Sequence, residues 1–244
     1  MQLAGSVVLV TGGAKRIGRA IGLALAERGA DIAITYRASA REAAAVVRDI
    51  KALGRRAVAV PVDQRSVPAV RAAVGAVERR LGGVDVLINS ASSFYRTPLA
   101  AVSETQWNDL VNVNLRGPFF FAQAVASGMR RRRHGKIINI SDVSAFNPWV
   151  DFLPYGAAKA GVIAITRGLA KALAPHVQVN AIAPGPILPP PGLSRAESRA
   201  AIAKTLLKRW GSPWDIVETI LYLVEGTDFV TGQVIAVDGG RLLS

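Results

Sequence analysis

The sequence contains no cysteine and only two histidines among its 244 residues. Disulfide bonds, thiolate catalysis and cysteine-ligated metals are therefore excluded, and so is a histidine-rich metal site. No charge-free apolar run is long enough to cross a bilayer, and the first residues lack the pattern of a signal peptide. We expect a soluble, cytoplasmic protein that holds no metal ion.

Acidic residues are also scarce, at 17 against 30 lysines and arginines, which gives a net charge of +13. Such a balance favours anionic partners, including phosphorylated cofactors, nucleic acid and acidic protein surfaces. The densest basic run, Arg130 to His134, is expected to end a helix, where cations complement the helix dipole. No aromatic residues interleave with it, as a groove for single strands requires, which argues against a nucleic-acid partner.

Half of the residues are hydrophobic, and short β-rich runs alternate with longer helical patterns. Near-continuous apolar runs are typical of strands that are buried on both faces of a parallel sheet. The alternation predicts one Rossmann-type α/β domain over residues 1–244, with a doubly wound sheet of seven parallel strands flanked by helices. Strands are expected over residues 7–11, 31–36, 57–62, 84–89, 136–141, 178–183 and 233–237, and helices over 17–28, 40–53, 67–81, 104–129, 155–174 and 213–224.

Residues 184–209 interrupt this alternation, because they begin with a run rich in proline and glycine and follow no strand or helix pattern. A segment of this length between two strands is typical of a lid or a binding loop. The alternative is a surface insertion with no part in binding.

The first strand leads directly into a glycine turn from Gly12 to Gly18, and a helix follows. Glycines let the backbone approach a pyrophosphate, and a helix N-terminus offers free N–H groups to it. Lys15, Arg16 and Ile17 complete the turn, and we expect all five residues to contact a dinucleotide. The alternative is a tight turn without a ligand.

The second strand ends in Tyr36 and Arg37, without the acid that NAD-binding folds usually carry there for the ribose hydroxyls. Arg37 can pair with a 2′-phosphate instead, and Arg16 can approach the same side, since a guanidinium fork suits phosphate. We therefore predict NADPH rather than NADH as the cofactor. Asp63, after the third strand, is expected to accept from the adenine amino group or simply to lead into a helix.

Tyr155 and Lys159 are four residues apart in a predicted helix, so both side chains can point into one cleft. A lysine charge beside a phenol lowers the phenol pKa and suits it to proton transfer near neutral pH. The same spacing occurs on ordinary solvated helices, so the meaning of the pair depends on its surroundings.

Several motifs, taken in order, resemble those of the short-chain dehydrogenase/reductase family along essentially the whole chain. The resemblance implies hydride transfer between a nicotinamide and a carbonyl-like or imine-like carbon, with Tyr155 as proton donor. Lys159 would bind the nicotinamide ribose and lower the tyrosine pKa, and Asn114 would hold a relay water. The matching elements are the glycine turn, Asn89-Ser90-Ala91-Ser92, Asn114, Tyr155 with Lys159, Pro184-Gly185, and Val237-Asp238-Gly239-Gly240.

The resemblance also implies further cofactor contacts and an assembly. Asn89, Ser90 and Ala91 would lie on the cofactor side of the cleft, with Pro184 and Gly185 after the sixth strand. The backbone of Ile187 would serve where many members of the family have a threonine. A homotetramer is implied as well, with helices 104–129 and 155–174 in its main interface.

Two departures from the usual family pattern are similar to its pteridine reductase branch. Asp142 stands where a catalytic serine is usual, and Arg16 replaces the middle glycine of the turn. In that branch Phe94 would stack on a pterin ring, Ser92 and Arg16 would face the pterin and a cofactor phosphate, and Asp142 would hydrogen-bond Tyr155. Ordinary packing is the alternative for Phe94.

A carboxylate opposes the negative charge of a developing alkoxide, whereas reduction of a C=N bond leaves a nitrogen to be protonated. We therefore expect an NADPH-dependent reductase of a pterin or a similar flat heterocycle. One alternative is a ketone reductase, for example of a 3-oxoacyl carrier-protein thioester, with Ser141 or Ser144 as the catalytic hydroxyl. Another is a non-catalytic protein that binds NADPH or nucleic acid.

Overall fold

The computed structural model describes residues 1–190 and 192–244, so Pro191, inside the expected lid, lies outside the described residues. The apolar runs form strands whose bounds differ from the expected ones by no more than two residues. They are β1 (Val7–Thr11), β2 (Asp31–Tyr36), β3 (Ala57–Pro61), β4 (Val86–Asn89), β5 (Gly135–Ile140), β6 (Val177–Pro184) and β7 (Val234–Val237).

All seven strands are parallel and form one sheet in the order β3-β2-β1-β4-β5-β6-β7. The expected doubly wound, Rossmann-type fold is thereby confirmed. Because β1 pairs with both β2 and β4, the strand order reverses direction beside it. Ligands of such sheets bind in the crevice at the carboxyl ends of the strands beside this switch point. The residues that follow β1, β4, β5 and β6 therefore meet at one edge.

The helices lie between the strands as the alternation predicts, with one interruption. The expected helix 104–129 is divided by a π-helical turn at Asn112–Arg116, where an extra residue enters the helical repeat. A second π turn, Tyr222–Gly226, ends the last helix. The α-helices are α1 (Arg16–Glu27), α2 (Ala40–Ala52), α3 (Val67–Leu81), α4 (Glu104–Val111), α5 (Gly117–Arg132), α6 (Leu153–Leu173), α7 (Arg195–Ala203) and α8 (Pro213–Leu221).

Apolar side chains cover both faces of the sheet, because alternate residues of a strand point to opposite sides. Val8 and Val10 of β1 belong to one buried cluster, which includes Ile21 of α1. Leu9 belongs to the other cluster, with Phe121 of α5. Burial on both faces explains why the strands read as continuous apolar runs.

The segment expected to be a lid contains a helix that the sequence analysis missed. Helix α7 begins at a capping box in which Ser194 and Glu197 satisfy each other's backbone N–H groups. None of its residues is fully buried, so little packing energy holds it against the domain. A role of this segment as a lid stays a prediction.

Backbone hydrogen bonds join both ends of this segment to the last residues of the chain. The Gly185 N–H donates to the Val237 carbonyl over 2.9 Å, and the Leu207 N–H donates to the Gly239 carbonyl over 3.1 Å. The carboxylate of Asp238 accepts from two backbone N–H groups of the tail at 2.9 Å each. The lid and the last residues of the chain therefore form one connected unit.

Residues 1–190 and 192–244 contain neither a membrane-spanning helix nor a cluster of metal ligands. Within them, no helix combines the length and the apolar character that a membrane span needs. Nor do three or more histidine, aspartate or glutamate side chains come together there in a way that would hold a metal ion.

Candidate active site

The glycine turn is shaped by close approach of backbone to backbone. A Cβ on Gly12 would lie 2.7 Å from the Cα of Ala91, and one on Gly18 would lie 2.4 Å from the carbonyl oxygen of Gly12. Neither position tolerates a side chain. Helix α1 follows with no side-chain cap from Lys15 and no acid in its first turn. Its first N–H groups can therefore receive an anion, which is the chemistry that a dinucleotide pyrophosphate requires.

Hydrogen bonds from β1 and β2 fix the loops around this turn. The N–H groups of Ser90 and Ala91 both donate to Thr11 Oγ1 at 3.0 Å. The Gly12 N–H donates to Thr35 Oγ1 at 3.2 Å. The expected cofactor residues Ser90 and Ala91 thus lie beside the glycine turn, with their N–H groups already bonded.

The two cations of the turn contact other parts of the protein. Lys15 forms an ion pair of 2.7 Å with Glu42 of α2. Arg16, at a left-handed φ of 50°, donates through Nη2 to the carbonyls of Leu188 and Pro189, both at 3.2 Å. Arg16 was expected to face the 2′-phosphate and a pterin. Its guanidinium contacts the start of the expected lid, whose carbonyls come within its reach, and its contacts with a phosphate and a pterin stay predictions.

One cation, Arg37, follows β2, where the sequence predicts the 2′-phosphate. Arg37 is exposed and forms no ion pair within the described part of the chain. Asp63, expected at the adenine, is held by Arg65, whose Nε donates to both carboxylate oxygens at 2.9 and 3.0 Å. Hydrogen bonds from Arg65 lower the pKa of Asp63, against a smaller opposing effect of burial. Any adenine contact of Asp63 has to compete with this pair.

Tyr155 and Lys159 lie on α6 with Asp142 beside them. The Tyr155 hydroxyl donates to Asp142 Oδ2 at 3.0 Å. The Lys159 ammonium donates to the carbonyl of Ile140 at 2.9 Å and lies 5.6 Å from the centre of the Tyr155 ring. Both α6 side chains are buried, at 6% and 3% exposure. The pair therefore faces the end of β5, where the expected crevice lies.

The pKa of the phenol differs from the expected direction. Burial first, and the charge of Asp142 second, raise the pKa of Tyr155 well above its ordinary 10. Lys159 was expected to lower it, but its ammonium donates to Ile140 and not to the phenol oxygen. Burial lowers the pKa of Lys159 to about 8, against an opposing effect of Asp142. The phenol is therefore protonated at neutral pH, as any tyrosine is, and its raised pKa makes it a weaker proton donor than an ordinary phenol.

Asp142 itself is held in place by the turn that follows β5. Its Oδ1 accepts from the Ser144 N–H at 2.8 Å, and burial raises the pKa of its carboxyl. The two serines considered as alternatives point elsewhere. Ser141 Oγ donates to the Lys159 carbonyl at 2.9 Å, and the fully buried Ser144 Oγ has no partner within the described residues. Asp142, and neither serine, touches the phenol.

Asn114 makes a different set of contacts from the one expected. Its Nδ2 donates to the carbonyls of Leu110 and Ser93, both at 2.9 Å. Its Oδ1 accepts from Ser92 Oγ at 2.7 Å and from the Ser93 N–H at 3.3 Å. These four bonds use the whole capacity of the amide. The side chain therefore fixes the loop that carries Ser92, and a part for Asn114 in a water relay to Lys159 stays a prediction.

Two more expected residues have mainly structural contacts. The buried Asn89 donates to the Pro118 carbonyl at 3.2 Å and to Asn139 Oδ1 at 2.9 Å, which ties β4 to β5 and α5. Ser92, besides its bond to Asn114, is close enough to the Tyr155 hydroxyl to lower the pKa of the phenol slightly. Asn89 thus supports the crevice from below, and Ser92 lies within it.

The remaining expected cofactor residues surround the crevice as parts of the core. Ile187 is buried in the cluster that contains α8, and Ile17 and Tyr36 pack partly against the same cluster. Pro184 is the last residue of β6, and Gly185 passes so close to the tail that it has no room for a Cβ. Any contact of Ile187 with a cofactor therefore has to come from its backbone.

Three aromatic rings, Phe94, Trp149 and Phe152, form one side of the crevice and are called here the aromatic wall. Phe94 is 43% exposed, stacks on Phe152 with centroids 4.6 Å apart, and meets the Tyr155 ring edge-on at 4.9 Å. Trp149 meets both phenylalanines edge-on at 6.2 and 5.8 Å. The sequence analysis missed Trp149 and Phe152, although Phe152 precedes Tyr155 by three residues, a spacing that brings side chains together at a helix end.

Comparison with known proteins shows which family the chain belongs to. The profile of the short chain dehydrogenases matches residues 6–199. The chain belongs to this family. Its members are oxidoreductases, which agrees with an acid beside a dinucleotide turn. The broader resemblance stated from the sequence is therefore confirmed.

Curated relatives extend over nearly the whole chain. One is the 3-oxoacyl-[acyl-carrier-protein] reductase FabG of Staphylococcus aureus strain Mu50, 37% identical over 96% of this chain and 97% of its own length. Another is the 5-keto-D-gluconate 5-reductase of Escherichia coli strain K12, 35% identical over 100% of this chain and 98% of its own. Both names describe reduction of a keto group, and neither describes a pterin.

Solved structures agree with this fold. A blue fluorescent protein from a metagenomic library, solved in complex with NADPH, is 36% identical and superposes with a TM-score of 0.91 over 99% of each chain. A dehydrogenase/reductase of Sinorhizobium meliloti 1021 is 34% identical, with a TM-score of 0.90 over 98% of this chain and 97% of the other. The comparisons thus carry the fold and the oxidoreductase class, but not the narrower expectation of a pteridine reductase.

Proposed function

We propose that the protein is an NADPH-dependent reductase that converts a keto group to an alcohol. The observation that carries this proposal is the buried Tyr155 hydroxyl, which donates to Asp142 at 3.0 Å and lies within one helical turn of Lys159. NADPH, when bound, supplies a hydride to the carbonyl carbon. Tyr155 gives its proton to the carbonyl oxygen, and Lys159 holds positive charge below the phenolate that results.

The choice of cofactor is supported by two features of the chain. Arg37 has no ion pair within the described residues and follows the strand where an acid would favour NADH. The uncapped start of α1 offers N–H groups to the pyrophosphate. The relative solved with NADPH has the same fold over its whole length.

A keto substrate is compatible with Asp142 when the carboxyl is neutral. Burial raises the pKa of Asp142, so the carboxyl keeps its proton to a higher pH than an ordinary aspartate does. A protonated carboxyl donates a hydrogen bond to a developing oxyanion, as the usual serine of the family would, whereas an ionised one repels it. The reaction should therefore slow as pH rises and Asp142 loses its proton.

A second candidate substrate is the C=N bond of a flat heterocycle such as a pterin. The aromatic wall favours it, because Phe94 presents an exposed ring beside Tyr155 on which a planar substrate can stack. Asp142 favours it as well, since reduction of C=N requires a proton at nitrogen and produces no alkoxide. In this reading Phe152 covers one face of Phe94, and the substrate uses the other.

Oxidation of NADPH should be followed with an acetoacetyl thioester, 5-keto-gluconate, dihydrobiopterin and dihydrofolate in parallel. The main proposal expects turnover of at least one keto compound and none in Tyr155→Phe. Turnover of pterins alone would reject the keto reading in favour of the second candidate. In that case Phe94→Leu should raise the pterin KM by about two- to tenfold, the value of one ring stack, while fully exposed Phe229→Leu should not. Turnover of none would reject both readings.

A further inference from the structure

The lid carries more positive charge than its own contacts neutralise. Between Gly192 and Trp210 it has five cations, Arg195, Arg199, Lys204, Lys208 and Arg209, against the single acid Glu197. Arg195 and Arg199 lie one turn apart on α7, and both are exposed. Neither forms an ion pair within the described chain. Like charges at this spacing destabilise an isolated helix, so this arrangement costs stability unless an anion offsets it.

The one acid of the helix is occupied elsewhere. Glu197 Oε2 accepts from the Ser194 N–H at 2.9 Å and from the Ser194 hydroxyl at 2.7 Å. Hydrogen bonds from Ser194, with a smaller effect of the Arg96 charge, lower the pKa of Glu197. Arg96 belongs to the loop that carries Phe94, and its own charge is paired with Asp151 at 2.5 Å. No acid from the helix is directed at Arg195 and Arg199.

Both arginines line a shallow pocket of about 380 Å³, together with Pro189, Leu193 and Ser198. The hydroxyl of Ser198 accepts from Trp210 Nε1 at 3.0 Å and donates to no described residue, so its hydrogen is available. Two guanidinium forks and a hydroxyl donor, with no acid in the lining, are suited to a phosphate or carboxylate group. Apolar contact from Leu193 and Pro189 suits the organic part of such a ligand.

The position of the pocket connects it to the reductase site. Pro189 lines the pocket, and its carbonyl accepts a hydrogen bond from Arg16 of the glycine turn. The lid segment itself begins at Pro184 and Gly185, at the end of β6. We propose that the lid pocket binds an anionic group of the substrate, through Arg195, Arg199 and Ser198, and so selects anionic over neutral substrates. The role as a substrate subsite rests on the proposed reductase function, but anion binding at the pocket does not.

Binding can therefore be measured without turnover. Inorganic phosphate should be titrated into the full-length protein while tryptophan fluorescence is recorded, since Trp210 contacts a residue of the pocket. A saturable change is expected, absent in Trp210→Phe. In the double variant Arg195→Gln/Arg199→Gln the midpoint should rise by at least about tenfold, because two charge-assisted contacts are lost. Acetate in place of phosphate shows whether the pocket also takes carboxylates.

The control is Arg130→Gln/Arg131→Gln, which removes the same charge at exposed positions near the end of α5, at the opposite edge of the sheet. It should leave the midpoint within about twofold, as long-range screening at ordinary salt predicts. A midpoint that shifts equally in both double variants would mean general attraction to net charge and would overturn the proposal. If the phosphate midpoint shifted only in Arg37→Ala, the phosphate would bind at the cofactor site, and this result would also overturn the proposal.

Steady-state kinetics then test the role in catalysis. With an anionic keto substrate, phosphate should inhibit competitively against the substrate and not against NADPH. The lid double variant should raise KM for that substrate and leave KM for a neutral ketone unchanged. Phosphate binding that persists in a protein with no reductase activity would reject the proposed function and keep the anion pocket. Reductase activity indifferent to substrate charge would reject the subsite and keep the function.

Discussion

The Tyr155 hydroxyl donates a hydrogen bond of 3.0 Å to the carboxyl of Asp142, a residue that stands where the family usually has a serine. The phenol must be protonated to serve as an acid, and burial, the largest cause of its raised pKa, keeps it so. The same bond couples the protonation of Asp142 to that of Tyr155. A substitution of either residue is therefore expected to shift the pKa of the other.

Removing the phenol hydroxyl tests the proton donor. Tyr155→Phe should lower kcat by about 10²- to 10⁴-fold, the usual contribution of general acid catalysis. The Kd for NADPH, measured by quenching of protein fluorescence, should change by less than about twofold, because the proposed cofactor contacts lie elsewhere. A variant that keeps more than a tenth of its activity would show that another group supplies the proton.

Substitution of Asp142 tests whether this residue acts as a neutral hydrogen-bond donor or as an ionised carboxylate. If the protonated carboxyl donates to the substrate oxygen, Asp142→Ser should keep substantial activity, and Asp142→Ala should lose about 10²- to 10³-fold, as for other oxyanion donors. Because burial raises the carboxyl pKa, the donor is present below the raised pKa and lost above it. The wild-type rate should thus fall on the alkaline side, and this limb should be missing in Asp142→Ser. Retention of the limb in the serine variant would assign it to another group.

Arg37 can be tested for cofactor choice. Arg37→Ala should weaken NADPH by about tenfold or more, the value of a charge-assisted pair, and NADH by less than about threefold. Arg41→Ala removes an exposed charge from the first turn of α2 and is the matched control. Isothermal titration of the wild type and both variants with each cofactor gives all six dissociation constants. Equal losses for the two cofactors would place the 2′-phosphate away from Arg37.

Arg16 joins the glycine turn to the lid, and its removal should loosen the lid without unfolding the domain. Arg16→Gly gives up two exposed hydrogen bonds but relieves a left-handed backbone that costs an ordinary residue about 1 kcal/mol. We expect the free energy of unfolding to change by less than about 1 kcal/mol. Amide hydrogen exchange over residues 188–203 should be faster in Arg16→Gly than in the wild type. The exchange rate in Arg16→Lys should lie between these two. Unchanged exchange in Arg16→Gly would mean that the lid does not depend on this contact.

The sequence predicted the layout well, because burial on both faces leaves a simple pattern. Continuous apolar runs located the seven strands, and glycines after β1 located the turn. Helix α7 was missed since the proline-rich start of the segment hid its pattern, although Ser194 and Glu197 carry the spacing of a capping box. The π turn at Asn112–Arg116 has no comparable signal, because it depends on one inserted residue within a regular helical pattern.

The partners of charged and amide side chains were harder to predict than their positions. Arg16 was placed in the turn correctly, but its contact with Pro189 joins residues far apart in the chain. The four bonds of Asn114 depend on how the loop after β4 folds back over the π turn. Motif spacing fixes where such residues lie, whereas their hydrogen bonds follow from tertiary packing.

The contact between the lid and the chain end has a practical meaning for anyone who purifies this protein. Leu207 is bonded to Gly239, and the hydroxyl of Ser244 donates to the carbonyl of Lys204 in the lid. A peptide fused after Ser244 would therefore pull on the segment that we propose binds the substrate. A C-terminal affinity handle should alter KM, and removing the handle by protease should restore it.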